Sequence, residues 1–596
     1  MTTSPRPSWP AMVVASAYIA SKIAVAVNTA AVEAAFGNIG GAALAAEGDT
    51  LHLEFLIMGT AMGGMRATSV LSGSISGDAT VTPPPSSGGS VGLSANKASW
   101  RMVAFLLRLL FRGTLCGLQG DECDEPTGRS DPHARGGQLV SVGRDALALD
   151  RCRRRERLAR LWRVTMAATT VYGAMATVLF ANSSVTAWVI AAIAKHTSSS
   201  LVAQSGLYFQ GFSPGILPTL WLYNTQQLAL GFSASGLALL YGGAVYATSA
   251  SLLAWHWFPT LGSYGLGLGM SVGAWLAWAA LLVHLVLDPE LRAAVLGVAA
   301  ARGRQRPLAV DIVRRDGHVQ QNLTAGDQPE EGASGPVATA TEETWRGVLG
   351  SYLRLAVPLG LSNATGLVRN LTIAALVSQA GTPEAVAYGV CVAFYQTLEI
   401  AALAASSCIS AVVASDSAHR DTMAVATDIG AADSRSASRR HLVWSWVASR
   451  SIRNVTAVMT AASLLLATMP ILWPTVFASW FGGRIYAYGN DTVLAVAALL
   501  PKFTWICFVQ FTLNLGAMVV AALLHGQRYV AVPLLCMVSG NVAGVGWAVA
   551  TQHDPTRVLL GGIVAGGTAV GLLSLWVWRL HRGGEERLSP PVVPDA

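Results

Sequence analysis

Charge is scarce in this chain. Only 12% of its 596 residues are Asp, Glu, Lys or Arg, where a soluble domain carries about 25%. Lysine is scarcer still: Lys22, Lys97, Lys195 and Lys502 are the only ones among 40 basic residues, a bias that carries no functional reading. The seven cysteines show no zinc-type spacing: Cys391, Cys408, Cys507 and Cys536 lie in apolar runs, and Cys116, Cys123 and Cys152 in a loop region. Neither disulfides nor a metal site are implied. A Walker-type phosphate loop, a nucleophile elbow and His/Cys metal motifs are all missing. The sequence therefore reads as no enzyme, and no cofactor is expected. No segment is long and ordered enough for a nucleotide-binding domain, which argues against a pump driven directly by ATP.

What the chain has in excess is apolar surface. Hydrophobic residues make up 52% and Gly 60 positions, a mixture common in packed transmembrane bundles. A helix needs roughly 20 apolar residues to cross a bilayer. Twelve such runs are predicted, at about 10–34, 50–77, 162–181, 199–229, 235–257, 265–288, 352–378, 385–414, 454–474, 493–524, 530–550 and 558–579. Residues 11–32 are longer than a signal-peptide core and are read as a retained span. Several runs exceed the bilayer requirement, which implies tilt or continuation beyond it.

The net charge of +7 sits in loops between apolar runs, so it reports membrane orientation and not nucleic-acid binding. With the N-terminus inside, the inner loops hold Arg135, Arg144, Arg151, Arg153, Arg154, Arg155, Arg157, Arg160 and Arg163, then Arg302, Arg304, Arg306, Arg314 and Arg315, then Arg420, Arg435, Arg439, Arg440, Arg450 and Arg453; the tail holds Arg579, Arg582 and Arg587. Outer loops hold only Lys195, Arg484 and Arg557. The positive-inside rule is met, with both termini cytoplasmic. Sequons at Asn182 and Asn490 fall at outer loops, although others at Asn322, Asn363, Asn370 and Asn454 do not.

The expected organisation is a first six-helix bundle over 1–288, a cytoplasmic linker over 289–351, a second bundle over 352–580 and a tail over 581–596. An insertion at about 80–157 opens with a Pro/Ser/Gly linker, and the central linker is polar enough to be largely disordered. Inside the insertion, Lys97, Arg101, Arg108 and Arg112 share one face of a helix and Met102, Phe105, Leu106 and Leu109 the other. That pattern predicts a basic amphipathic helix on the inner leaflet, or a core helix under the bundle.

The halves echo each other. Gly40, Ala46 and Gly48 recur at one offset as Gly381, Ala387 and Gly389, between the first two spans of each half. Gly265, Gly269 and Gly273 in span 6 are answered in span 12 by the pairs Gly562/Gly566 and Gly567/Gly571, spacing that lets helices approach closely. The fourth span of each half carries proline, Pro214 and Pro218 and then Pro501. Repeated six-helix bundles are a common transporter plan.

Three segments resemble the multidrug and toxic compound extrusion (MATE) family: LRLAVPLGLSNATGLVRNLTIAALVSQAGTPEAVAYG (353–389) its opening helix of a half and the following turn, FSPGILPTLWLYNTQQLALGF (212–232) its fourth helix, and ALLHGQRYVAVPLL (522–535) the turn between its tenth and eleventh helices. The resemblance implies an all-α integral membrane fold, twelve transmembrane helices in two pseudo-symmetric six-helix bundles around a V-shaped cavity. It also implies export of organic cations or metabolites in exchange for H⁺ or Na⁺. Members often carry an acid in the first helix; the aligned position is Val32, with Glu33 beside it and Asn28 one turn earlier. Some use a carboxylate in the seventh helix, where this chain has Asn363, Arg369 and Asn370 and no acid, so the coupling ion stays open.

Ionisable groups inside spans are costly in hydrocarbon and should face a cavity or a partner. Glu399 in span 8 leads, with Tyr395 and Gln396 nearby; Glu54 in span 2, Glu33, Asn28, Asn370 and Arg369 complete the candidate ion-binding set. Lys22, Arg66 and Lys502 are the other intramembrane bases, of which the lysines are long enough to snorkel. Gln226 and Gln227 are placed at the inner gate, with Tyr395 and Gln396 at the substrate cavity. Glu399 has a structural alternative, a pair with Arg369. Trp255, Trp257, Trp480 and Trp578 fit interfacial belts. A Glu withdrawn from water can carry a proton near neutral pH, and a cationic substrate then drives that proton off. The expected partners are a small-molecule substrate, H⁺ or Na⁺ and the lipid bilayer, for a monomer. A lipid-linked sugar flippase of the same superfamily and a major-facilitator transporter are the alternatives, and a non-transporting scaffold the reading from another class.

Overall fold

The computed structural model describes residues 41–77, 138–193, 199–232, 236–287, 295, 345–427, 450–474 and 490–585. The first predicted span with Lys22, Asn28 and Glu33, the amphipathic segment at 97–112 and most of the central linker lie outside the described residues. All elements within them are helices: α1 (Gly41–Gly77), α2 (Gln138–Ala181), α3 (Ser183–Ile193), α4 (Ser199–Phe232), α5 (Gly236–Leu287), α6 (Trp345–Ser378), α7 (Thr382–Thr427), α8 (Arg450–Ala467), α9 (Met469–Leu472), α10 (Asn490–Gly526), α11 (Ala531–Ala550) and α12 (Pro555–Glu585).

Eleven of the twelve predicted spans are found as helices, with three corrections. The helix of span 3 starts at Gln138, so the basic run through Arg163 is helical where a loop was expected. Span 8 continues to Thr427 and span 7 begins at Trp345; each carries helix past the apolar stretch that marked it. Spans 5 and 6 have no loop between them. They form the two arms of α5, broken at Gly262, whose φ of 58° suits a residue without Cβ. The short apolar helix α3 was not foreseen, because 11 residues cannot cross a bilayer.

Among the described residues, five stretches are long and apolar enough to span by composition alone: Arg153–Ala181, Gly243–Val286, Val493–Gly526, Ala531–Ala550 and Pro555–Arg579. Large apolar side chains such as Val178, Leu252, Leu494, Leu535 and Val542 point outward and are exposed, which is tolerable only where the surrounding medium is hydrocarbon. Trp255 and Trp578 are also exposed, as an interfacial belt requires.

Among the described residues two large apolar cores hold the bundles, and a smaller cluster of Leu524, Cys536 and Leu573 joins α10, α11 and α12. One gathers Phe209, Phe212 and Ile216 of α4 with α1, α2 and α5, and reaches across to α6 and α7. The other gathers Phe503 and Phe511 of α10 with α6, α7 and α12. Small residues set the helix spacing. Gly269 and Gly273 lie against the backbone of Ala254 and Ala250, closing the two arms of α5. Gly562 and Gly566 lie against Gln510 and Leu513 of α10; Gly567 and Gly571 meet no neighbour, so only the first pair of span 12 acts as a packing motif.

The prolines of α4 show how hydrocarbon is answered chemically. A proline lacks the N–H that would bond the carbonyl four residues back, and in a membrane that carbonyl needs another donor. Pro214 frees the carbonyl of Gln210, which accepts from Ser213 Oγ at 3.2 Å. Pro218 frees the carbonyl of Pro214, which accepts from Trp275 Nε1 of α5 at 3.1 Å. The kink-prone helix is thereby tied to its neighbour.

At one end of the molecule α1, α4, α7, α10 and α12 finish and α2, α6 and α11 begin. It carries Arg153–Arg160, Arg346, Arg354 and Arg528 and is called here the basic end.

Candidate functional site

Polar side chains inside the second bundle form one network. Arg369 of α6 is buried and gives Nη2 and Nε to Asn370 Oδ1, at 2.7 and 3.1 Å. Its Nη1 donates to Asn541 Oδ1 of α11 at 3.0 Å, and Asn541 Nδ2 donates to Thr365 Oγ1 at 3.0 Å. Gln510 of α10 also reaches Asn370 Oδ1, at 3.5 Å. The guanidinium is thus held by neutral amides and not by Glu399, with which it makes no direct ion pair.

Glu399 lies beside this network on α7, 17 residues or ~25 Å of helix beyond Thr382. Asn514 Nδ2 of α10 donates to its Oε1 at 3.2 Å. A cavity of about 20 Å³ opens between Glu399, Asn370, Tyr388, Tyr395 and Gln510, room for one water or one small ion. Tyr395 is fixed by its hydroxyl, which donates to the carbonyls of Ala467 and Thr504 at 3.2 and 3.4 Å. Its ring lines the cavity while its oxygen braces α8 and α10.

The first bundle repeats the motif. Tyr208 Oη of α4 donates to Glu54 Oε2 at 2.8 Å. In each half, then, a carboxylate on the second span accepts from the fourth. Glu54 is 13 residues into α1, or ~20 Å, because the helix begins at Gly41. It therefore sits deeper than a span starting at 50 implied. Glu54 and Glu399 occupy separate bundles and do not meet.

The two halves touch along α1. Gly59, Gly63 and Gly64 lie against Leu367, Asn363 and Ala356 of α6, and Asn363 Nδ2 donates to the carbonyl of Gly59. Toward the basic end, Gly73 and Gly77 lie against the backbone of Ala411 and Ser415 of α7. Gly231 of α4 presses on Ser72 and Gly73, and Gly526 of α10 on Ser410 and Val413. This glycine seam brings the two halves into backbone contact toward the basic end. Gln226 and Gln227, placed at the gate by sequence, are fully buried in α4 one turn before Gly231. Asn224 beside them accepts from Thr68 Oγ1 at 2.9 Å and donates to Thr165 Oγ1 at 3.1 Å, joining α1, α4 and α2. Arg66 of α1 and His525 of α10 are buried in the same region. Lys502 is exposed on α10 and has no place in either site. Gln396 lies on α7 without a described side-chain position.

Sequence reasoning gathered Glu399, Asn370 and Tyr395, which the fold brings to one cavity, and Arg369, which bonds Asn370 beside it. It passed over Asn514, Asn541, Gln510, Tyr208 and Asn224. Their signal was available: an amide inside an apolar span must find a partner helix.

Taken together, these features define a multi-pass integral membrane protein of two related helical bundles. Its particular fold, of twelve transmembrane helices, is that of the MATE transporters and not a major-facilitator plan. The chain is similar to the crystal structure of the eukaryotic MATE transporter AtDTX14, with TM-score 0.61 and 11% identity, over 97% of this chain and 98% of that one. It is similar to a MATE-family multidrug resistance transporter of the MOP superfamily in an outward-facing conformation, with TM-score 0.56 and 10% identity over 98% and 100%. A third likeness is to a MOP superfamily transporter from Pyrococcus furiosus described as having a binding pocket of reverse polarity, with TM-score 0.57 and 10% identity over 97% and 100%. No family model matches the chain. No curated protein matches it in sequence.

Proposed function

We propose that the chain is a secondary antiporter that exports organic cations or metabolites in exchange for H⁺ or Na⁺ by alternating access. The observation that carries this reading is Glu399, held by Asn514 at a small cavity inside an apolar bundle. A carboxylate there is retained at a cost that only a bound cation or proton explains readily. Coupling ion and substrate compete for that charge, and only singly loaded forms rock between the two faces. Glu54 with Tyr208 is the matching station of the first half. With the basic end cytoplasmic, the glycine seam closes the inward path and Gln226 and Gln227 support that closure.

Buried Arg66 and Arg369 favour a second reading, a flippase for lipid-linked sugars, whose diphosphate would seek cationic walls. Proteoliposomes separate the two. Under an imposed pH or Na⁺ gradient, wild type is expected to accumulate an organic cation and Glu399→Gln to lose the gradient dependence. Cation transport at equal rate with and without a gradient would sink the antiport reading. Loss of transport of a lipid-linked sugar in Arg369→Gln, with no cation movement in wild type, would establish the other.

A further inference from the structure

Away from both carboxylates, the basic end holds a crevice of about 720 Å³ between the two halves. One wall is Leu71, Ser74 and Ile75 of α1 with Arg157 from the middle of α2. The other is α6 around Arg354 and Leu355, and the turn from Arg528 into α11. Among the described residues, three guanidinium-bearing side chains from three separate elements line it, and no Asp or Glu does. The rest of the lining is mainly aliphatic, including Leu161, Val530 and Leu534. Positive charge and an apolar floor in one crevice suit a ligand with an anionic head and a hydrocarbon tail.

Arg528 follows the end of α10. Its φ of 66°, the one positive value at a non-glycine among the described residues, belongs to the helix C-cap, in which Arg528 N donates to the His525 carbonyl and Tyr529 N to the Leu524 carbonyl. From that cap Nη2 donates to Ser74 Oγ of the opposite half at 3.1 Å, which holds the side chain on the crevice lining. Arg354 lies on the exposed face of α6. Charge of this sign at a membrane border also follows from the orientation rule, but that rule asks for no cavity between the halves that gathers it from three elements.

We infer that this crevice is a binding site for an acidic phospholipid of the leaflet at the basic end, its phosphate among Arg157, Arg354 and Arg528 and its chains along α1 and α11. The site is distinct from the transport path proposed above and stands whichever substrate is carried.

The test uses the full chain purified in detergent with dioleoyl phosphatidylglycerol, dioleoyl phosphatidylcholine or inorganic phosphate, and counts lipids retained by native mass spectrometry. Wild type is expected to retain phosphatidylglycerol over phosphatidylcholine, unmoved by inorganic phosphate. Arg354→Ala and Arg528→Ala should each weaken retention roughly fivefold, and Arg579→Ala, basic but outside the crevice, should not. Ser351→Trp keeps every arginine and fills the crevice, so it should also lower retention; it decides the matter if an arginine variant fails to fold. Equal retention of both lipids, equal loss in Arg579→Ala, undiminished retention in Ser351→Trp, or displacement by inorganic phosphate would each overturn the assignment.

Discussion

Asn541 shows how an arginine is kept inside a bundle without a carboxylate. Arg369 Nη1 has Asn541 Oδ1 as its acceptor, and removing one partner of a buried charged donor costs more than removing both. Asn541→Leu should therefore lower stability by about 2–3 kcal/mol, read as a fall in thermal midpoint in detergent. Arg369→Met with Asn541→Leu should fall less than the sum of the single changes; strict additivity would mean the bond carries no coupling. Tyr208→Phe removes the donor to Glu54 and should cost ~1 kcal/mol, a smaller fall by the same measurement. The residue scale is also where the sequence was most legible. Glu399, Arg369 and Asn370 stood out because charge and amides are conspicuous against Leu, Val and Ala. Asn514 and Asn541 were equally polar, yet which helix each faces depends on bundle geometry, and periodicity within a helix carries none of that.

Helices were legible as apolar runs and less so at their ends. The start of α2 at Gln138 went unread because its basic first half contributes nothing to hydropathy. The α5 break needed only Gly262, where a loop was expected. For α4, the bond from Trp275 to the Pro214 carbonyl exists because Pro218 offers no N–H. Trp275→Phe should then cost ~1 kcal/mol in the native background and less in a Pro218→Ala background, where the helix supplies its own donor. Equal losses in both would refute the proline account. On α1, Gly73 meets the Ala411 backbone, which cannot be repacked as a side chain can. Gly73→Leu should hold the basic end open, seen as faster labelling of a cysteine placed at Ser72 from that side.

At the scale of the molecule, the halves meet through α1, which packs on α4 of its own bundle and on α6 and α7 of the other. Spin labels at Arg153→Cys on α2 and Arg346→Cys on α6 span the junction from opposite halves. Distance measurements are expected to give a short population that grows when the basic end shuts and vanishes in Gly73→Leu. A single distance indifferent to that substitution would contradict the gate. The glycine seam also fixes the character of this motion. A gap of about 0.5–1 Å between touching backbones already forfeits roughly a quarter to a half of their dispersion attraction, so a small parting is costly. The junction should behave like a latch, with half-parted forms too rare to register, and the two label distances should trade population without passing through intermediate values.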